Sequence, residues 1–377
     1  MSVTLQRAAR RAVAAALVML VCAAGAGAAE YFVSTEGDDS AAGAADSPFR
    51  TIGKGLSVLA GGDSLTIAPG VYRESCHLTV AASEGEPVVI RGVEMPHVEA
   101  TGRDGILITD SAWVTIEGLE ITGAARAGIL AGGSERVTVR GCTLGDNGVW
   151  GFQSAMSKHI TVEKCEIYGS KKEHGIYFST TDYPTAADNH IHDCASCGVH
   201  MNGDLSEGGD GMITGAVIAR NKIIGCGSAG GSAINMDGVE KSTIEANVID
   251  GNAAGGITSF KGDGKSGGSN NTIKGNLVRF APGAGRFGIQ LLHGSTRALL
   301  EQNIIDVTNG PAVEVDEMSA KGFQATRNFY VPPMDELKFS WKGREIGFQD
   351  WQAATGQDMD SHVMRGAPVP TPPGASR

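Results

Sequence analysis

No stretch beyond residue 24 is apolar for the roughly 20 residues that a membrane-spanning helix needs, so no later segment is expected to cross a bilayer. Positive charge is short: 31 Lys and Arg stand against 42 Asp and Glu, a formal net charge of -11. A surface of that sign is a poor partner for nucleic acid. Glycine is plentiful, 54 of 377 residues, yet no Gly-X-Y period runs through the chain, which excludes collagen. Cys194-x-x-Cys197 lacks a second pair at zinc-ribbon spacing, so that pair alone does not argue for a metal.

The residues that are present fall into a leader and a repeat. Arg7, Arg10 and Arg11 precede an apolar run, Ala12 to Ala24, and Gly27-Ala28-Ala29 offers small residues for cleavage. Residues 1–29 therefore read as a signal peptide, and a secreted or periplasmic protein is expected. Loss of the three arginines would take the net charge from -11 to -14.

The element Gly-(Ile/Val/Phe) recurs at Gly105, Gly128, Gly151, Gly175, Gly198, Gly256 and Gly288, with Ala233 and Ala312 in the same slot. Successive gaps are 23, 23, 24, 23, 35, 23, 32 and 24 residues, so two coils carry insertions of roughly 12 and 9 residues. A second register agrees. After each apolar-x-apolar strand one turn position holds Leu119, Cys142, Cys165, Asn189, Asn221, Asn247, Asn276, Asn303 and Asn328. Stacked asparagines at one turn can bond coil to coil, and Asn tolerates the left-handed backbone expected there. Cys142 and Cys165 share the ladder slot, and Cys194 and Cys226 each lie five residues after a ladder Asn. Both pairs read as stacked apolar thiols, with a Cys194–Cys226 disulfide as the alternative in an oxidising compartment.

Short Val/Ile/Thr strands at this period exclude helices of 10 or more residues and make an all-β solenoid, a single-stranded parallel β-helix. Its open ends need caps. Ile52, Leu56 and Leu59 predict an amphipathic helix over residues 48–60, N-capped by Ser47 with Pro48 at its first position. The β-helix with its N-terminal cap is assigned to residues 30–334. A C-terminal capping segment with Phe339, Trp341, Phe348 and Trp351 follows at 335–365, and a Pro-rich disordered tail at 366–377.

The opening Tyr31-Phe32-Val33-Ser34, Gly37-Asp38-Asp39-Ser40, Ser47-Pro48-Phe49-Arg50-Thr51-Ile52, Gly62-Asp63 and Ala68-Pro69-Gly70-Val71-Tyr72-Arg73-Glu74 resembles that of secreted right-handed parallel β-helix proteins of the pectate-lyase-like superfamily. Family 9 polysaccharide lyases open similarly. The resemblance covers about residues 30–355 and implies a right-handed β-helix and a carbohydrate substrate. Those lyases use a calcium-holding aspartate cluster and a lysine base. No matching cluster can be placed here, so these roles are not carried over. The carboxylate motifs of polygalacturonases and the Asp-Pro-His motif of alginate epimerases are absent.

In each Gly-Ile strand the Ile points inward, so the next residue points outward. One outward column then reads Leu107, Leu130, Gln153, Tyr177, His200, Asn235, Thr258, Gln290, Glu314. The column two residues on reads Thr109, Gly132, Ala155, Ser179, Asn202, Asp237, Phe260, Leu292, Asp316. Tyr177, His200, Asn202, Asn235 and Asp237 make one polar patch, and the insertions after Asn202 and at Gly262 to Asn270 flank it. Insertions on a rigid scaffold commonly carry binding. Lys171, Lys172 and His174 enter from the preceding turn, and Arg286 and His293 flank the Gln290 strand. His190 and His192, on another face, read as surface residues.

Two reactions fit this patch. A polysaccharide lyase cleaving a uronate glycan needs a base, carboxylate-binding groups and an acid. His200 or Lys261 are the base candidates, Asn202 and Asn235 the carboxylate ligands, Tyr177 the acid, and Asp237 a further catalytic candidate. His174, Gln290, Arg286 and Asp204 would line the substrate site. An inverting hydrolase would use Asp204 and Asp237, about 8 Å apart by strand spacings if Asp204 stays on the strand, within the window of about 6.5–9.5 Å. Asp237 and Glu314, three rungs and about 14 Å apart, are too distant. Asp204, Asp210, Asp237 and Asp263 could hold a calcium ion. The third expectation is a glycan-binding protein without catalysis. Against it, only Tyr177 and Phe260 are aromatic in the two columns. A monomer acting on a polysaccharide is the expected state.

Overall fold

A computed structural model describes residues 27–281 and 283–364. The leader expected at 1–29 lies almost wholly outside the described residues, as does the tail expected at 366–377. No helix among the described residues is long and apolar enough to cross a membrane.

Each coil contributes three short strands, and each strand pairs in parallel with its counterpart one coil on. The first sheet holds the Gly-Ile strands, such as Ile176–Asp182, Val199–Asn202, Ser232–Asp237 and Gly255–Phe260. The second holds Thr185–Ala187, Val217–Ala219 and Thr243–Glu245. The third, of 12 strands, includes Glu166–Tyr168, His190–His192 and Lys222–Ile224. The all-β solenoid read from the sequence is thus the fold. Its centre is a column of fully buried Ile, Val, Leu and Phe side chains running the length of the coil stack.

The expected rung register holds in the first sheet. Gln153 pairs with Tyr177, Tyr177 with His200, His200 with Asn235, Asn235 with Thr258, Thr258 with Gln290 and Gln290 with Glu314.

The asparagine ladder is continuous. The Nδ2 of Asn189, Asn221, Asn247, Asn276 and Asn303 each donates to the Oδ1 of the next Asn, at 2.8–3.1 Å. The same oxygens also accept the preceding Asn backbone N–H. Asp358 closes the row by accepting from Asn328. Asn is not chosen here for its own backbone, contrary to expectation. The left-handed residue is the one before each ladder position: Asp188, Arg220, Ala246, Gln302 and Arg327 all have φ of 53–59°. That residue turns the corner, and the Asn side chain, swung inward, satisfies the amides the corner leaves unpaired. A hydroxyl row does the same at another corner, where Ser111 and Ser134 N–H donate to Ser134 and Ser157 Oγ.

All six described cysteines are buried free thiols. Cys142 stacks on Cys165 and Cys194 on Cys226, as their shared slots in the repeat predict.

Both ends differ in detail from expectation. The N-terminal helix spans only Ile52–Leu56, and Thr51, not Ser47, is its cap, accepting from Lys54 N–H. Phe49 instead bridges to Val33 in extended backbone. Ile52 and Leu56 still plug the first coil. At the far end Phe339 is not outside the repeat, because Lys338–Trp341 adds one more rung beside Val313–Val315. A hairpin and the helix Phe348–Thr355 then stack Trp351 on Phe339.

Candidate active site

The groove of interest runs along the first sheet where the two long coils leave it. Its aromatic floor is Trp150 stacked on Tyr177, with ring centroids 5.5 Å apart. Trp150 pairs with Ala127 in the column just before the repeat glycine, a column left out when only the residues after the glycine were aligned. His174, Cys197 and Ser232 continue it across the long coils.

Next to this floor lies a histidine relay. Cys197 N–H donates to His174 Nδ1 at 3.2 Å, and His174 Nε2 is 2.9 Å from His200 Nδ1. A backbone N–H can only donate, so His174 Nδ1 is the acceptor and its proton sits on Nε2. That proton is donated to His200 Nδ1, which leaves the His200 proton on Nε2. His200 Nε2 is buried and has no partner. Burial drives the pKa of His200 down to about 4. Burial, reinforced by the charge of His200, drives His174 lower, to about 2. At neutral pH His200 is therefore a neutral imidazole offering one N–H to the groove. It suits hydrogen-bond donation to a substrate oxygen. It does not suit the role of base, because its acceptor nitrogen is taken by His174.

Tyr177 is also held protonated: burial raises its pKa against the opposing hydrogen bonds from Ser179 and Asn202. Asn202 Nδ2 donates to Tyr177 Oη and to Asp263 Oδ2, each at 3.3 Å, and Asn202 Oδ1 is left buried without a partner. In this orientation Asn202 presents an acceptor, which fits a hydroxyl and not the carboxylate expected of it. Asn235 Oδ1 accepts from Ser232 N–H, leaving its Nδ2 for a ligand. Gln153 Oε1, on the rung before Tyr177, is a third buried atom without a partner. Ser179 Oγ donates to Glu207 Oε2 at 2.6 Å. Glu207 lies inside the first insertion, where no repeat register could single it out.

Asp237 is a correction. It is 2% exposed and accepts three backbone N–H groups of the second insertion, Gly262 at 2.8 Å, Asp263 at 2.7 Å and Gly264 at 3.1 Å. A carboxylate so saturated anchors a loop and is not free to act on a substrate. The glycines permit the approach: a Cβ on Gly262 would lie 2.5 Å from Asp237 Oδ2, and one on Gly264 2.9 Å from Oδ1. Asp204 leaves the strand, which ends at Asn202. Its carboxylate caps the short 3-10 helix Leu205–Glu207 by accepting Ser206 N–H. The inverting pair therefore fails on both members. The two insertions clasp each other through Leu205 N–H to Asp263 O and Lys265 N–H to Gly211 O.

The calcium expectation fares no better. Asp237 is saturated, Asp204 and Asp210 accept from their own turns, and neither of the metal-capable clusters among the described residues contains any of the four aspartates. One such cluster, His174, Cys197 and His200, lies in the groove, with soft donors that suit zinc or copper better than calcium.

Beyond Asn235 the groove opens into a cleft of about 440 Å³ lined by Asn235, Thr258, Phe260, Arg286 and Gln290. Gln290 is bonded on both sides, accepting from Thr258 and donating to Glu314. Arg286 and Lys261 are exposed and have no ion-pair partner among the described residues.

The match of a family model for the right-handed β-helix region covers residues 85–209. Among solved structures, the chain is similar to an alginate lyase from Paenibacillus sp. str. FPU-7, with 17% identity over 67% of this chain and 92% of that one and a TM-score of 0.57. It is similar to pectate lyase Pel9A, with 14% identity over 78% and 81% and a TM-score of 0.56. A GH136 lacto-N-biosidase from Eubacterium ramulus shares 12% identity over 89% and 67%, with a TM-score of 0.61. No curated protein sequence matches the chain. At such identities the likeness establishes the fold, a right-handed parallel β-helix, and the resemblance to pectate-lyase-like proteins is borne out at that level.

Proposed function

We propose that the groove binds a uronate-containing glycan and cleaves it by β-elimination. The observation that carries this reading is the set of buried polar atoms without partners on the two rungs that flank Tyr177: Gln153 Oε1 before it, and His200 Nε2 and Asn202 Oδ1 after it. Each would cost about 1–3 kcal/mol if left unpaired. Two acceptors and one donor along a groove match a sugar ring, whose hydroxyls donate to the amide oxygens and whose acidic oxygen accepts from the imidazole. The Trp150–Tyr177 stack supplies an apolar face for the ring itself.

In the elimination, His200 Nε2–H, Asn235 Nδ2 and the Arg286 guanidinium hold the uronate carboxylate and stabilise charge developing beside it. Glu207, whose carboxylate accepts from Ser179 Oγ on the Tyr177 strand, takes the C5 proton, because Lys261 lies three rungs on from Tyr177. The C4–O bond breaks with its electron pair on the leaving oxygen, a C4=C5 double bond forms, and Tyr177 Oη protonates that oxygen. The β-helix relatives that act on alginate and pectate make acidic polysaccharides the first substrates to try. Export through residues 1–29 and action as a monomer belong to the same proposal, and the mass of the exported chain tests the cleavage.

Incubation with a panel of uronans and neutral glycans tests the reaction. Growth of the unsaturated-uronate absorbance band is the expected result. New reducing ends without that band would replace the lyase by a hydrolase. Retention on a glycan column with neither product would leave a binding protein.

A further inference from the structure

A second cluster lies on the third sheet, away from the groove. Glu166 and His190 face each other on adjacent rungs, and His192 lies two residues further along the second of them. Alternation in a strand puts His190 and His192 on the same outward side. Glu166 Oε1 is 3.5 Å from His192 Nε2 and 3.9 Å from His190 Nδ1. Ligand atoms around a tetrahedral zinc ion, each about 2.0–2.1 Å from the metal, sit about 3.3 Å apart. Small rotamer adjustments would close the trio to that size.

The hydrogen bonding favours an ion at the centre. His192 Nδ1 is 2.7 Å from Asp193 Oδ2, so the ring donates there and turns its Nε2 lone pair toward Glu166. His192 Nε2 is buried and has no hydrogen-bond partner. A lone pair facing a carboxylate oxygen at 3.5 Å repels it unless a cation lies between. A carboxylate behind a metal-binding histidine is the usual device for fixing the ring and strengthening its basicity. Tyr168 stacks on His192 at 5.3 Å and holds the ring plane. Lys222, beside His190 on the next rung, confines any cation to the Glu166 side.

We propose that Glu166, His190 and His192 form a transition-metal site, of zinc type, on the outer face of the third sheet, with Asp193 orienting His192. Two imidazoles and one carboxylate leave an open position, so a water or an external ligand completes the shell. The site is independent of the groove and of the reaction proposed for it.

Titration of the chelator-treated full chain with Zn2+ by calorimetry, and with Co2+ by absorption spectroscopy, tests this. One site is expected, with a Co2+ spectrum lacking a thiolate charge-transfer band. His192→Ala should weaken zinc binding at least 100-fold, Glu166→Gln about 10-fold and Asp193→Asn about 10-fold, and the exposed Glu166 and Asp193 should do so with unchanged melting of the apo chain. Equal zinc affinity in the native chain and in His190→Ala/His192→Ala would overturn the proposal. So would a thiolate band lost with Cys197→Ser, which would place the metal in the groove.

Discussion

The early coils and the two long coils share one inner construction and differ in what they show to solvent. From Gly105 to Gly151 the outward column offers Leu107 and Leu130, the turns are tight, and a row of serine hydroxyls closes one corner. From Tyr177 onward the same column offers a phenol, an imidazole and amides, and two insertions clasp each other over it. The interior cannot account for the difference, because isoleucine and valine fill it in both regions. A solenoid holds its core by nearest-neighbour rules that every coil must obey. Specialisation is therefore left to outward positions and to chain added between rungs.

The sharpest way to break that contrast is to remove the proposed acid. Tyr177→Phe should lower kcat by about 100-fold or more, whereas Leu107→Ala, two rungs before Gln153, should leave the turnover of uronan within twofold; similar losses in both would erase the distinction. Next comes the scaffold, where both regions should be alike. Asn247 is fully buried with its amide bonded on both sides, and Asn247→Ala should destabilise the fold by about 3 kcal/mol, read from the denaturant midpoint. Ser134→Ala, which removes one hydroxyl from its row, should cost about 1 kcal/mol.

A smaller effect belongs to the long coils alone. His200 has a pKa near 4 in the fold and about 6.5 when unfolded. Between these values the unfolded chain binds the extra proton, so stability is complete above about 6.5 and falls as pH drops toward 4. The melting temperature of the native chain should decline across that window, and His200→Gln should flatten the decline. An unchanged slope would mean that the imidazole is not held neutral by burial.

How much of this was legible in the sequence follows from the same contrast. The coil period fixes which residues share a column, so the register from Gln153 to Glu314 could be written down without coordinates. What a column cannot show is the partner of each side chain. Asp237 looked catalytic because it stood in a polar patch; its three bonds come from Gly262, Asp263 and Gly264, in irregular chain that has no register. Glu207 was hidden for the same reason. Trp150 lay within the repeat but before the glycine, and could have been found by aligning that position as well. The left-handed corner was placed one residue late, because a buried amide and a strained backbone both favour Asn and only the φ angles separate them.

The central claim is that the unpartnered atoms on either side of Tyr177 are a sugar site. A crystal structure of the protein with a bound uronate oligosaccharide tests it most directly. Sugar oxygens should lie within hydrogen-bond distance of His200 Nε2, Asn202 Oδ1 and Gln153 Oε1, with one ring over Trp150 or Tyr177. An oligosaccharide seated along Leu107 and Leu130, or on the third sheet with these atoms still unpaired, would contradict it.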